Sequence, residues 1–279
     1  MANREFPSTD WALILGASSG FGGATALELG RRGMSVIGVH FDRAATLPNA
    51  EQIAKDIESS GSKARFFNIN ASDAAKRNET LDIMDKELKS SGGTVRVLMH
   101  SLAFGTLKPY FGKPNEMMTQ AQVEMTIDVM SNSLVYWTQG IFSRGMMKKG
   151  GRIFAMTSSG GHIVLPNYGA VSAAKAGMES HIRQIAMELG PYGITANSIL
   201  AGVTDTPALK KIPGAVKMLE VARKKNPQLR TTTPQDVAHA IALFAREDSY
   251  FISGGVIPVD GGEDIVNYMG QVSPTEMEP

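Results

Sequence analysis

The feature that most constrains this chain lies near its start. An apolar run, Trp11–Gly16 (WALILG), passes straight into a glycine loop and then into the helical pattern GGATALELGRRG, which Gly33 closes. A buried strand, a tight turn and a helix in that order form the first part of a βαβ unit, in which the helix is the crossover to a parallel strand. The pattern then repeats. Ser35–Phe41 (SVIGVHF) reads as the second strand and AEQIAKDIESSG as a helix ended by Gly61. KARFFNI, VRVLMHS, RIFAMTS and GITANSI read as four more strands with helical periodicity between them, and GGVIPVDGG supplies a seventh. Parallel strands this continuous in apolar residues are covered on both faces. The expected fold is α/β: a Rossmann-like, doubly wound, seven-stranded parallel sheet, in a single domain over residues 1–279. The last residues, about 264–279, read as a loose tail or an intersubunit arm.

Composition narrows what such a domain can do. The 279 residues are 43% hydrophobic and 20% charged, enough for a large core without covalent staples. A formal net charge of +1 gives no global attraction to nucleic acid or to a membrane. There is no cysteine, so disulfides, thiolate catalysis and zinc–thiolate sites are excluded. None of the five histidines has metal-ligand spacing, and no metal is expected. The segment MANREFPSTDW is polar and carries an acid, unlike a signal peptide, and no run of about 18 apolar residues is present. The expectation is a cytoplasmic protein without a nucleic-acid or membrane partner.

In the loop LILGASSGFGG, Gly16, Gly20 and Gly22 allow a tight turn and close approach of a phosphate to backbone N–H groups. Ser18, Ser19 and Phe21 complete it. Dinucleotide binding is the first expectation, in this strand–loop–helix setting. A flexible surface loop is the plain alternative. GASSG also matches the G-x-S-x-G nucleophile elbow, with Ser18 as nucleophile. That chemistry needs an acid and a late histidine, and His100, His162, His181 and His239 offer no evident site for one.

With GASSGFG, HSLAFG, TSSGG, NYGAVSAAK and NSILAG in this order, and VIPVDGG as the last strand, the chain resembles the short-chain dehydrogenase/reductases from about Trp11 to Gly262. The resemblance implies binding of NAD(H) or NADP(H) and assembly as a homotetramer. The commonest members carry Y-x-x-x-K, but four residues before Lys175 stands Val171, which has no hydroxyl. The pair here is Y-x6-K, Tyr168 and Lys175, the spacing of the enoyl-acyl-carrier-protein reductases, whose strand-four motif HSLAF also resembles. Met130 stands where ordinary members have a catalytic asparagine, and Asn132 is out of register by two. Position 158 is serine, where the best-known enoyl reductases have a second tyrosine and ordinary members have a serine. The site therefore resembles the enoyl-reductase branch nearest to ketoreductases, and the implied catalytic residues are Tyr168, Lys175 and Ser158.

The interval then has a chemical meaning. Hydride delivered to C3 of a 3-ketoacyl thioester leaves charge on the C3 oxygen. Delivered to C3 of a 2-enoyl thioester, it leaves an enolate on the thioester oxygen, two carbons away. A donor acts where charge develops, so the phenol should stand differently in the two reactions. Residues seven apart on a helix nearly eclipse, as do residues four apart. The longer interval moves the phenol about one turn toward or beyond the helix N-terminus while Lys175 stays with the cofactor ribose. PNYG places Tyr168 at that end. A lysine cation favours the tyrosinate over a phenol of pKa about 10 and strengthens its hydrogen bond. Taken singly, Tyr168 would be a half-buried aromatic and Lys175 a solvated helix residue.

Strand two ends GVHFDR. His40 takes the position at which an acid binds the ribose of NAD(H), and Arg43 suits a 2′-phosphate. NADPH is expected, with NADH as the alternative if Asp42 fills the acid's place. By resemblance, Asn70 and Ala71 contact the adenine, Ser101 and Leu102 lie beside the cofactor, and Thr204 and Thr206 contact the nicotinamide amide and pyrophosphate. Residues about 204–230, chiefly from Ala208 to Arg230, form the substrate lid. Its Lys210, Lys211, Lys217, Arg223, Lys224, Lys225 and Arg230 fit an acidic acyl carrier protein, or simply a solvated helix face. The function implied is reduction of the 2,3 double bond of carrier-linked or coenzyme A-linked 2-enoyl thioesters in fatty-acid synthesis. A reductase acting on a 3-ketoacyl or hydroxysteroid carbonyl, and a cofactor-binding regulator without turnover, are the alternatives.

Overall fold

In a computed structural model, residues 4–267 are described. The chain runs β1 (Asp10–Leu15), α1 (Gly20–Arg31), β2 (Ser35–His40), α2 (Leu47–Ser59), β3 (Ala64–Asn68), α3 (Ala74–Ser91) and β4 (Thr94–His100). It continues with α4 (Gln120–Ile127), α5 (Ser133–Ser143), β5 (Arg152–Thr157), α6 (Gly169–Leu189) and β6 (Thr195–Ala201), and closes with α7 (Ala215–Lys225), α8 (Pro234–Phe244) and β7 (Val256–Val259). One seven-stranded sheet results, in the order β3-β2-β1-β4-β5-β6-β7, with every pair parallel. All seven expected strands are present within a residue or two of the apolar runs.

Strand alternation divides the core. Trp11, Leu13 and Leu15 of β1 join Leu81, Leu134, Trp137, Met178 and Ile182 on one face. Ala12 and Ile14 join Ala26, Leu29, Ile53, Val237 and Ile241 on the other. Side chains of period two therefore serve two helical layers from a single strand. Leu13 and Ile14 are completely buried, and truncating either to alanine costs about 2–5 kcal/mol.

The order of strands reverses at β1, which pairs with β2 on one side and β4 on the other. At Leu15 the two neighbours, Val39 and His100, lead their chains in opposite directions. The crevice outside the carboxyl ends of β1 and β4 is where ligands bind in open sheets of this kind.

The helical stretch that carries Met130 and Asn132 is irregular. Between α4 and α5 lies a π-helical turn, Asp128–Asn132. Such a turn holds one extra residue, which shifts every later side chain around the axis. At the other end, Asp264 N donates to Asp260 Oδ2 at 2.7 Å, so the expected tail starts on an anchored residue. The rest of that tail, residues 268–279, lies outside the described residues. No helix among the described residues is long and apolar enough to cross a membrane.

Candidate active site

The glycine loop is shaped by backbone contacts that side chains would block. Gly16 has φ +93°, and a Cβ on it would run into the Ser101 carbonyl. A Cβ on Gly22 would run into the Gly16 carbonyl. Gly16 N and Ala17 N both donate to Val39 O, at 2.8 and 3.1 Å, which folds the loop onto the end of β2. Ser19 caps α1 with extended backbone, and its side chain makes no capping hydrogen bond. The first-turn N–H groups of α1 therefore remain to be matched by a ligand, and the helix dipole favours an anion there. Thr206 stands opposite, with its Cγ2 3.6 Å from where a Gly20 Cβ would be. This open cradle fits the pyrophosphate of a dinucleotide. It gathers Gly16, Ser18, Ser19, Gly20, Phe21 and Gly22 with Thr206.

Ser101 N donates to Leu15 O at 2.8 Å, and Leu102 packs beside Gly16, so both stand at the crevice. Thr204 and Thr206 are buried in the loop after β6. Thr204 Oγ1 donates to Gly202 O at 2.9 Å, and Thr206 Oγ1 accepts from Leu209 N at 3.2 Å. After β3, Asn70 Oδ1 accepts from Ser72 N and Ser72 Oγ, which makes a side-chain turn. The Ala71 carbonyl accepts from Trp137 Nε1 at 2.9 Å.

The end of β2 differs from the sequence expectation in one respect. His40 is buried and turns inward, with its Nδ1 2.9 Å from Asp42 Oδ2. Burial alone would raise the Asp42 carboxyl, but hydrogen bonds from Thr46, Ser18 and His40 outweigh it and hold the group below its usual range. The acid beside the glycine loop is thus Asp42, paired with His40. Arg43 is exposed and makes no ion pair among the described residues.

Tyr168 is the N-cap residue of α6. Asn167 before it has φ +61°, a conformation asparagine tolerates better than most residues, and Pro166 starts the turn. Lys175 is buried two turns on, and its Nζ donates to Met156 O at 2.5 Å. Burial pushes this ammonium down to about 8, against the opposing pull of Glu179. Burial pushes the Tyr168 phenol up, partly offset by the Ser158 hydroxyl beside it. Ser158 Oγ is nonetheless buried without a well-formed hydrogen bond to any described group. A Cβ on Gly160 would strike the Tyr168 ring, so glycine lets the two side chains meet.

One turn inside Tyr168, Val171 is sealed in an apolar cluster with Val129, Met130 and Ala174, against Leu102, Leu107 and Tyr168. Gly105 wedges in, its Cβ position 3.0 Å from both Met130 Sδ and Val171 Cγ2. Asn132 Oδ1 lies 3.3 Å from His181 Nε2 on α6, away from this cluster. His100, fully buried behind Lys175, bonds Ser133 Oγ through Nε2 at 2.8 Å. Burial, with the Lys175 charge, lowers it to about 3, so the ring is neutral. Among the described residues no group of His, Asp and Glu is arranged to hold a metal ion.

Three further residues reach the site. Tyr110 lays its ring over Gly169, next to Tyr168. Glu263 Oε1 accepts from Val203 N at 3.1 Å and so tethers the loop after β6. Glu179 accepts from Thr157 Oγ1 at 2.5 Å. The four-residue spacing of Glu179 from Lys175 was legible in the sequence, whereas the other two contacts depend on tertiary folding. In the segment after β6, α7 ends in the cations Arg223, Lys224 and Lys225. Lys210 pairs with Asp205 at 3.3 Å, and Arg230 belongs instead to the start of α8, where it pairs with Asp236 at 2.6 Å.

Together these features define a Rossmann-type oxidoreductase with a phenol and a lysine at the crevice. The family model described as "Enoyl-(Acyl carrier protein) reductase" matches residues 16–263. The chain is 33% identical over 190 residues to the enoyl-[acyl-carrier-protein] reductase [NADH] FabI of Synechocystis sp., covering 67% of this chain and 71% of that one. It is 28% identical over 254 residues to the 3-oxoacyl-[acyl-carrier-protein] reductase FabG of Pseudomonas aeruginosa, covering 90% and 96%. The solved enoyl-[acyl-carrier-protein] reductase (NADH) of Aquifex aeolicus superposes with a TM-score of 0.79 at 23% identity, over 93% of this chain and 98% of that one. The chain belongs to the short-chain dehydrogenase/reductases, in the enoyl-acyl-carrier-protein reductase branch.

Proposed function

We propose that this protein reduces the 2,3 double bond of 2-enoyl thioesters with NADPH. The observation that carries the reading is the place of the phenol. Tyr168 caps α6, while the position one turn inward, Val171, has no hydroxyl and is closed into an apolar cluster. When bound, the nicotinamide supplies hydride to C3. Tyr168 then stands as the donor to the thioester oxygen, and its raised pKa keeps it protonated at neutral pH. Lys175 uses one donor on Met156 O and has others for the ribose hydroxyls. Val129, Met130 and Val171 form an apolar, water-excluding layer packed against Tyr168 and Leu102. Asp42 is paired with His40, which leaves Arg43 to meet a 2′-phosphate and favours NADPH. The cations at the end of α7 would receive an acidic carrier protein. A homotetramer is consistent with the exposed Tyr250, Phe251 and Ile252 just before β7, the edge strand.

A second reading is favoured by Ser158. Its buried, unpartnered hydroxyl beside Tyr168 could share a ketone oxygen at C3. Relocating the phenol separates the two. In the Val171→Tyr, Tyr168→Phe double variant, the enoyl reading predicts no recovery of NADPH oxidation with crotonyl thioester. Recovery on that substrate would show that the donor belongs one turn inward and would remove the reading.

A further inference from the structure

Glu179 lies one turn beyond Lys175 on the same face of α6. Its partner Thr157 is buried and is the last residue of β5, directly before Ser158. A Cβ on Gly161 would lie 3.1 Å from Glu179 Oε1, 3.5 Å from Lys175 Cβ and 3.6 Å from Thr157 Oγ1. Three side chains from two elements thus converge on one point of the loop that carries Ser158.

The charged and titratable groups around Lys175 are few. His100, from β4, is neutral. Tyr168, at the start of α6, is protonated at neutral pH. Arg183, one turn beyond Glu179, makes no ion pair with it among the described residues. The hydrogen-bond partner of Lys175 Nζ, Met156 O, is an uncharged carbonyl. A buried ammonium with only such a partner tends to lose its proton. Glu179 is the anion that opposes that loss.

We propose that Glu179 is a positioning residue for the Tyr168–Lys175 pair: anchored by Thr157, its carboxylate keeps Lys175 charged and ties α6 to the end of β5. The effect on turnover rests on the reductase reading; the effect on Lys175 does not. Glu179→Gln keeps an acceptor for Thr157 and removes the charge. Thr157→Val keeps the charge and removes the anchor.

The test is a direct titration of Lys175 by NMR in protein carrying 13Cε-lysine, with the resonance assigned through Lys175→Arg. It runs beside a pH profile of kcat on crotonyl thioester. In Glu179→Gln the Lys175 titration and the alkaline limb of kcat both move acidward by about one pH unit, the scale of a nearby opposite charge. The loss of rate is then largest on the alkaline side, whereas a merely structural role would lower kcat evenly. Thr157→Val moves the titration the same way by less, and serves if the glutamine variant fails to fold. A Lys175 titration that stays in place in the folded variant overturns the proposal. If Lys175 shifts as expected but the wild type oxidises no NADPH with any enoyl thioester, the proposal stands and the reductase reading fails.

Discussion

Burial acts in opposite senses on the two side chains at the centre of the site. It raises Tyr168, which stays a donor, and lowers Lys175 to about 8, which brings its loss of charge close to neutrality. The sign follows directly. The cation is the useful form of Lys175, so kcat should fall as pH rises through about 8 in the absence of other limits, and a pH–rate profile reads it. A flat profile well beyond that point would mean that bound cofactor or substrate holds the proton on. At the other end of the crevice, Arg43 is exposed while Asp42 is pinned. Losing a charge-assisted hydrogen bond costs about 1.5–3 kcal/mol, roughly a tenfold to hundredfold effect. Arg43→Ala should therefore lower kcat/KM for NADPH by about that factor and leave NADH nearly unchanged. A wild type that prefers NADH would assign the pocket to Asp42 instead.

Helix ends decide how these residues are held. α8 opens with a reciprocal capping box, in which Thr233 Oγ1 accepts from Asp236 N and Asp236 Oδ2 accepts from Thr233 N, with Pro234 in the first turn. Arg230 first, against the cost of burial, and then Thr233 lower Asp236 to about 2. A depressed carboxyl stabilises above its unfolded pKa of about 3.9, and that contribution is lost as pH falls toward about 2. Thr233→Ala should cost about 1 kcal/mol in urea unfolding at neutral pH. Because α8 packs along α1, the loss should also loosen the glycine-loop helix. Elements of this kind were unequally legible in the sequence. Most of the seven strands stood out because they are nearly continuous in apolar residues, as β1 and β2 are. Tyr168 could be placed at the start of α6 because Pro166 cannot continue a helix backward. The π-helical turn at Asp128–Asn132 could not be seen, since one inserted residue leaves local hydrophobic spacing almost unchanged. The inward turn of His40 toward Asp42 depends on packing across the sheet, where Phe66 of β3 lies against the His40 ring, and no local pattern reports it.

At the scale of the whole molecule, one crevice collects loops from β1, β2, β4, β5 and β6, because the strand order reverses beside β1. The Tyr168–Lys175 pair stands on the first two turns of α6, while the cations of α7 lie in the segment after β6. Neutralising Arg223, Lys224 and Lys225 should raise KM for a carrier-linked substrate more than for its coenzyme A counterpart. The difference should shrink in high salt, where exposed charges are screened. Equal, salt-independent effects on both substrates would leave these residues as a solvated face. The central claim is that the seven-residue interval places Tyr168 at an enolate oxygen and not at a C3 ketone. The most direct measurement is kcat of the wild type, Tyr168→Phe and Ser158→Ala on crotonyl and acetoacetyl thioesters. The account predicts a wild type faster on the alkene, a fall of about 10²–10³ in Tyr168→Phe, and a milder effect of Ser158→Ala. A wild type faster on the ketone, with Ser158→Ala as damaging as Tyr168→Phe, would contradict it.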